Sequence, residues 1–274
     1  MPYTSCTAKD DIALYYGDYG TGDPVILIHG WPLSHRMWDD QISALVAAGH
    51  RVIAYDRRGF GQSDKPWNGY NYDTLAADLK RLIDQLKLDN VSLVGFSMGG
   101  GEVARYIGNY GTDKIAKAVL IGSVTPFMLK TDDNPEGVEG EVFDGMKDGI
   151  QDDFVGFFAG FGEYFVTYEN NKDRISKDQL HFNQMVAASA SKKAVLDCVD
   201  SFGRTDFRKD MAAFNIPTLI IHGDDDQTVP LEKSGQRAHE MIAGSQLDVI
   251  KGAPHGLNFT HTKELNESLT RFLK

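Results

Sequence analysis

A serine flanked by glycines, set where an apolar run changes into a helical pattern, constrains this chain more than any other feature. Residues 90–108 read NVSLVGFSMGGGEVARYIG. Val91, Leu93 and Val94 form a β-leaning run, Gly95-Phe96-Ser97-Met98-Gly99 makes an abrupt turn, and residues 100–108 have helical character. A serine that projects from the end of a sheet needs a strained backbone, and glycines on either side let neighbouring segments approach where a Cβ would clash. The helix start also offers unpaired N–H groups that can stabilise an anion beside the serine. The G-x-S-x-G pattern arises by chance as well, so the turn alone reads equally as a glycine-rich loop that ends a strand.

The surrounding segments supply a fold for it. Residues 25–28, 51–55, 115–121 and 216–221 are apolar with little alternation, as expected of strands covered on both faces, and residues 12–18 alternate like an edge strand. Helical stripes lie between them: Met37, Trp38, Ile42, Leu45 and Val46, then Leu75, Leu79, Leu82, Ile83 and Leu86. A helix at 231–241, a strand at 247–250 and a helix at 263–273 end the chain. This alternation predicts an α/β fold with a mostly parallel sheet and helices on both faces.

The rhythm breaks after Gly122. Residues 126–141 are rich in Asp, Glu, Gly, Pro and Asn, and a phenylalanine stripe at near-helical spacing then runs from Phe143 to Phe165. That stripe reads as the core of a small helical subdomain, and it also lines an acyl or aryl pocket if it covers the sheet end bearing Ser97. Further helices are expected at 176–190 and 191–201. With no internal repeat or long linker, residues 1–274 read as a single domain with a cap inserted at about 124–210.

Composition narrows the partners. The formal charge of −11, from 28 Lys and Arg against 39 Asp and Glu, argues against nucleic acid. The N-terminal sequence lacks a basic segment followed by an apolar one, and no apolar run approaches the length of a membrane span. Cys6 and Cys198 have no metal-ligand spacing; their low number fits a reducing compartment, and their separation leaves a disulfide open. The expectation is a soluble, cytoplasmic protein.

A nucleophilic serine needs a base near neutrality and a carboxylate that fixes the base's tautomer. Asp226 follows one expected strand and His255 the next, so both can reach the end of the sheet that carries Ser97. Asp224 and Asp225 remain alternatives to Asp226, and His261 is a weaker candidate base than His255. His50, His181 and His239 fall near or inside helices and read as surface or cap residues, while His29 and His222 precede glycines at strand ends and read as loop supports. For a tetrahedral oxyanion, Met98 can donate its backbone N–H from just after the serine, and Trp31 can donate another from the loop after His29-Gly30. Pro32 cannot donate; it either stiffens that loop or presents its carbonyl beside the nucleophile.

These residues resemble the α/β-hydrolase superfamily, and within it the cofactor-free haloperoxidase, perhydrolase and aryl-esterase family. The match runs over nearly the whole chain, through His29-Gly30-Trp31, Asp56-Arg57-Arg58-Gly59-Phe60-Gly61-Gln62-Ser63, Gly95-Phe96-Ser97-Met98-Gly99-Gly100-Gly101, His222-Gly223-Asp224-Asp225-Asp226 and Ala253-Pro254-His255-Gly256. The resemblance implies a Ser97, Asp226 and His255 triad, Trp31 and Met98 as oxyanion donors, an eight-stranded sheet with a helical cap, and no metal or haem. It also implies cleavage of small carboxylic esters and formation of peracids from carboxylic acids and hydrogen peroxide, the peracid then oxidising halide in solution. Pro32 matches the proline that comes after the oxyanion tryptophan in perhydrolytic members. Trp31, Phe127, Phe161, Phe202 and Val229 are the candidate pocket residues. The family leaves room for a homo-oligomer, and a γ-lactamase with the same triad or a non-catalytic ligand-binding protein on the same fold are the competing readings. A haloalkane dehalogenase is disfavoured, because it would need a carboxylate where Ser97 stands.

Overall fold

The computed structural model describes residues 3–5 and 12–274. Cys6 lies outside the described residues; Cys198 is buried in a helix. Eight strands, β1 (Tyr3–Ser5), β2 (Ala13–Tyr19), β3 (Pro24–Ile28), β4 (Arg51–Tyr55), β5 (Val91–Phe96), β6 (Ile115–Ile121), β7 (Thr218–Gly223) and β8 (Gln246–Ile250), form one sheet in the order β1-β2-β4-β3-β5-β6-β7-β8. The first two pairings are antiparallel and the rest parallel.

The interior strands lack alternation because both faces of the sheet are covered. Val25, Leu27, Val94 and Leu219 enter one apolar cluster with Ile42, Leu45, Leu265 and Leu269; Ile26, Ile28, Leu93 and Ile220 enter another with Leu75, Leu79, Val103 and Ile107. Helices α1 (Asp39–Ala47), α2 (Tyr72–Gln85) and α3 (Met98–Tyr110) carry three of these stripes before β6 ends.

Between β6 and β7 run α4 (Gly140–Asp152), α5 (Phe154–Phe165), α6 (Tyr168–Asn171), α7 (Lys177–Ala188), α8 (Lys192–Arg204) and α9 (Arg208–Met211). The phenylalanine stripe is thus carried by two successive helices. Asp153 breaks it with extended backbone, φ −136° and ψ 94°, and caps α5 by accepting from the Gly156 N–H at 2.9 Å. After β7 come α10 (Gly235–Met241), α11 (Leu257–Thr260) and α12 (Thr262–Leu273). The helix expected from residue 231 starts only at Gly235, since residues 231–233 form a 3-10 turn and Ser234 leaves helical geometry. Among the described residues no helix is long and apolar enough to cross a membrane.

Candidate active site

Ser97 sits where β5 passes into α3, with φ 53° and ψ −116°. That conformation is costly for a residue with a Cβ and is held from both sides. The Ser97 N–H donates to the Ile121 carbonyl of β6 at 2.8 Å, and its own carbonyl accepts from Gly100 N at 3.0 Å. The flanking glycines are required by proximity: a Cβ on Gly95 would lie 2.4 Å from the Gly99 carbonyl oxygen, and one on Gly99 2.3 Å from that of Ile28. The sharp turn therefore presses α3 against β5 and β3 and leaves the serine hydroxyl at the sheet end.

The structure brings His255 and Asp226 to that hydroxyl. His255 Nε2 is 2.9 Å from Ser97 Oγ, and His255 Nδ1 is 2.6 Å from Asp226 Oδ2. A carboxylate only accepts, so Nδ1 carries the proton of the neutral ring and Nε2 is left to accept from the serine. Phe96 and Phe165 pack on the imidazole with ring centroids 4.9 and 5.1 Å away. The next residue ties the histidine loop to α5, Gly256 N donating to the Phe165 carbonyl at 2.8 Å.

Asp226 is buried, and burial by itself would favour its protonated form. His255 outweighs that effect, joined by His222, whose Nε2 lies 3.3 Å from Asp226 Oδ2, so the carboxyl is held well below its ordinary range. Its other oxygen accepts from the Thr228 and Val229 N–H groups at 3.0 and 2.7 Å. Asp224 and Asp225 are occupied elsewhere, accepting from Gly252 N and from Gln227 Nε2 respectively. His261 is buried against Thr260, with Oγ1 3.0 Å from Nδ1. Sequence reasoning assigned His222 only to loop support, through a contact now seen as Nε2 to the Val229 carbonyl at 2.8 Å. Its second role, beside Asp226, was signalled by a spacing of four residues across the turn that ends β7.

Among the described residues, neither the Trp31 nor the Met98 N–H takes part in a hydrogen bond. The loop bearing Trp31 is fixed by Leu33 N donating to Gly30 O at 3.1 Å and by the indole Nε1 donating to the Val195 carbonyl at 3.1 Å. His29, at its base, accepts from Arg57 N on Nε2 at 3.0 Å, which puts its proton on Nδ1, 2.9 Å from the Gly30 carbonyl. Burial, with Arg57 adding to it, pushes His29 down from 6.5 to about 3. The folded protein thus keeps this ring neutral where the unfolded chain protonates it. Its contribution to stability is complete above pH 6.5 and is lost as pH falls toward about 3. Urea unfolding across that window should show His29→Gln with a shallower acid loss than the parent; equal slopes would remove His29 as the cause.

Arg57 reaches further. Its Nε donates to Glu102 Oε2 at 2.9 Å, its Nη2 to the His29 carbonyl at 2.9 Å, and the Tyr55 hydroxyl donates to Glu102 Oε1. This buried network joins β4, the Trp31 loop and α3. It was not foreseen, although charged residues directly after an apolar strand and inside a glycine-rich helix start were visible. His50 also departs from expectation: it is buried where the chain turns from α1 into β4.

Ser97 and His255 open onto a cavity of about 750 Å³, large enough for an aryl or medium-length acyl group. Of the candidate pocket residues, Trp31, Phe161, Phe202 and Val229 line it. Phe127 does not. Phe127 is buried under the Arg208 guanidinium, 5.1 Å above its ring, and its neighbours Val124 and Met128 line the wall instead. Pro32 lines a separate cavity of about 30 Å³ with Leu33, Phe158 and Phe165. Phe158, Phe161 and Phe202 surround the Trp31 indole edge-on, with centroids 5.3 to 5.8 Å away, so the stripe serves as both core and wall.

Residues 23–262 match the model of the alpha/beta hydrolase fold family. The chain is 49% identical over 277 residues, covering 100% of both, to a putative non-heme chloroperoxidase of Synechocystis sp.. It is 36% identical over 271 residues, 98% of each, to a bifunctional esterase/perhydrolase of Acinetobacter calcoaceticus. The crystal structure of a bromoperoxidase from Bacillus anthracis superposes with a TM-score of 0.94 at 54% identity, over 97% of this chain and 96% of that one. The chain belongs to the α/β-hydrolase fold family, in its non-heme haloperoxidase and perhydrolase branch.

Proposed function

We propose that the protein is a serine hydrolase of small carboxylic esters that also forms peracids, with Ser97 as nucleophile, His255 as general base and Asp226 as the orienting carboxylate. The observation that carries the reading is the unbroken chain from Asp226 through His255 to Ser97, at 2.6 and 2.9 Å, at the edge of the large cavity. His255 takes the Ser97 proton as Oγ attacks the ester carbonyl, and the Trp31 and Met98 N–H groups hold the oxyanion. The alcohol leaves with the proton from His255. Water then releases the acid, or hydrogen peroxide releases the peracid, His255 accepting the incoming proton and returning it to Ser97. The helices between β6 and β7 act as the cap of a single domain. No metal or cofactor enters any step.

The test is a panel of short acyl and aryl esters, γ-lactams, and acetate with hydrogen peroxide. Sustained release of alcohol from excess ester supports the reading, whereas a single burst and then arrest favours a binding protein.

Pro32 bears on the choice between water and peroxide. Its likeness to the proline of perhydrolytic relatives assigns its carbonyl to the assistance of peroxide attack. Pro32→Leu should lower the ratio of perhydrolysis to hydrolysis by about tenfold, the equivalent of about 1.4 kcal/mol. An unchanged ratio would leave Pro32 a loop stiffener. The reading also carries a cytoplasmic location and assembly into a homo-oligomer, checked by cell fractionation and light scattering.

A further inference from the structure

The cavity wall draws on two stretches of the chain: Phe143, Phe157, Phe161 and Phe202 come from the inserted helices, and Gln227, Thr228 and Lys233 from the segment after Asp226. Among the described residues lining the cavity Lys233 is the one lysine or arginine, and no carboxylate lines it. Its backbone is fixed in the 3-10 turn, Lys233 N donating to the Pro230 carbonyl at 3.0 Å, while the adjoining Ser234 hydroxyl donates to the same carbonyl at 2.7 Å. The side chain is partly buried, yet its ammonium has no ion pair or hydrogen bond among the described residues.

Two other partly buried lysines differ. Lys147 lies 2.9 Å from Asp200, and Lys193 lies 2.8 Å from Asp197. In the same segment the Thr228 hydroxyl oxygen is buried and has no hydrogen-bond partner among the described residues. A partly dehydrated ammonium is unfavourable unless an anion meets it. Tyr164 braces this segment from α5, its hydroxyl donating to the Gln227 carbonyl at 2.7 Å.

We infer that Lys233 is a specificity-determining residue that recognises a carboxylate remote from the scissile ester, so that the preferred substrates are esters with an apolar body and an anionic end. This rests on the esterase reading of Ser97. The apolar body lies along the phenylalanines, the ester carbonyl reaches Ser97, and the carboxylate accepts from Lys233. The carboxylate belongs either to the acyl chain or to the leaving alcohol, and both satisfy the same wall.

The experiment compares kcat/KM for matched charged and neutral esters. Mono-p-nitrophenyl suberate against p-nitrophenyl octanoate places the carboxylate on the acyl chain; 4-octanoyloxybenzoate against phenyl octanoate places it on the leaving group. In at least one pair the charged-to-neutral ratio should fall about tenfold or more in Lys233→Met and further in Lys233→Glu, while Lys233→Arg stays within about threefold of the parent. Added salt should erode the parent's ratio, because a partly exposed cation is screened. Ratios that move less than about threefold in Lys233→Glu in both pairs overturn the assignment. Failure of the parent to turn over the neutral esters as well would instead count against the esterase reading itself.

Discussion

Replacing Ser97 with alanine should lower multiple-turnover ester hydrolysis by about a millionfold, the scale seen when a triad nucleophile is removed from another serine hydrolase. The residual rate should be what cavity binding and the Trp31 and Met98 N–H groups supply. The fold should be spared. Among the described residues the hydroxyl's one side-chain hydrogen bond is to His255 Nε2, and Ser97 lines the cavity, so water replaces it and unfolding should shift by no more than about 1 kcal/mol. Alanine meets the positive φ at this position much as serine does. Steady-state kinetics with circular dichroism and thermal melting check both halves together. Activity retained by a folded Ser97→Ala protein would end the assignment of the nucleophile.

The second large effect is on stability. Arg57 and Glu102 are both almost wholly buried and meet at 2.9 Å. Glu102→Ala leaves a guanidinium without its counter-ion and the Tyr55 hydroxyl without its acceptor. Breaking such a pair from one side costs about 3–5 kcal/mol, because the surviving charge stays out of water. For a chain of this size the melting temperature should fall on the order of 10 °C. Adding Arg57→Met to Glu102→Gln should recover part of the loss, since that pair of changes removes the charge and keeps an acceptor for Tyr55. Because Arg57 also donates to the His29 carbonyl, Glu102→Ala should lower kcat below the melting transition by loosening the loop that carries Trp31. A protein that melts within about 1 kcal/mol of the parent would show the pair to be energetically neutral.

The range of each interaction decided how much of this was legible in the chain. The parallel sheet could be read because burial on both faces removes alternation from runs such as residues 25–28, and the order of Ser97, Asp226 and His255 placed each after a strand. Local signals also favoured Asp226 over its neighbours, and the structure shows the physical difference: it is buried at 4% exposure, whereas Asp224 is solvent-exposed. The helical subdomain was legible in the phenylalanine spacing, but not its break at Asp153, because the phenylalanines continue through it and only the cap on Gly156 marks the second helix. Phe127 misled because aromatic character near an expected pocket does not report the direction in which a loop turns. The Arg57 and Glu102 pair spans 45 residues, and Lys233 earns notice only from what fails to surround it, which no sequence window displays.

The helices from Gly140 to Met211 contribute none of Ser97, Asp226, His255, Trp31 or Met98, yet they carry Phe143, Phe157, Phe161 and Phe202 of the cavity wall. The aromatic part of the cavity wall and the reacting groups are therefore written in separate stretches of the chain, while the turn bearing Lys233 stays beside Asp226. A library that randomises the inserted helices alone can explore new acyl and alcohol groups without touching a reacting atom, and exchange of the whole insertion between relatives becomes a practical route to altered selectivity.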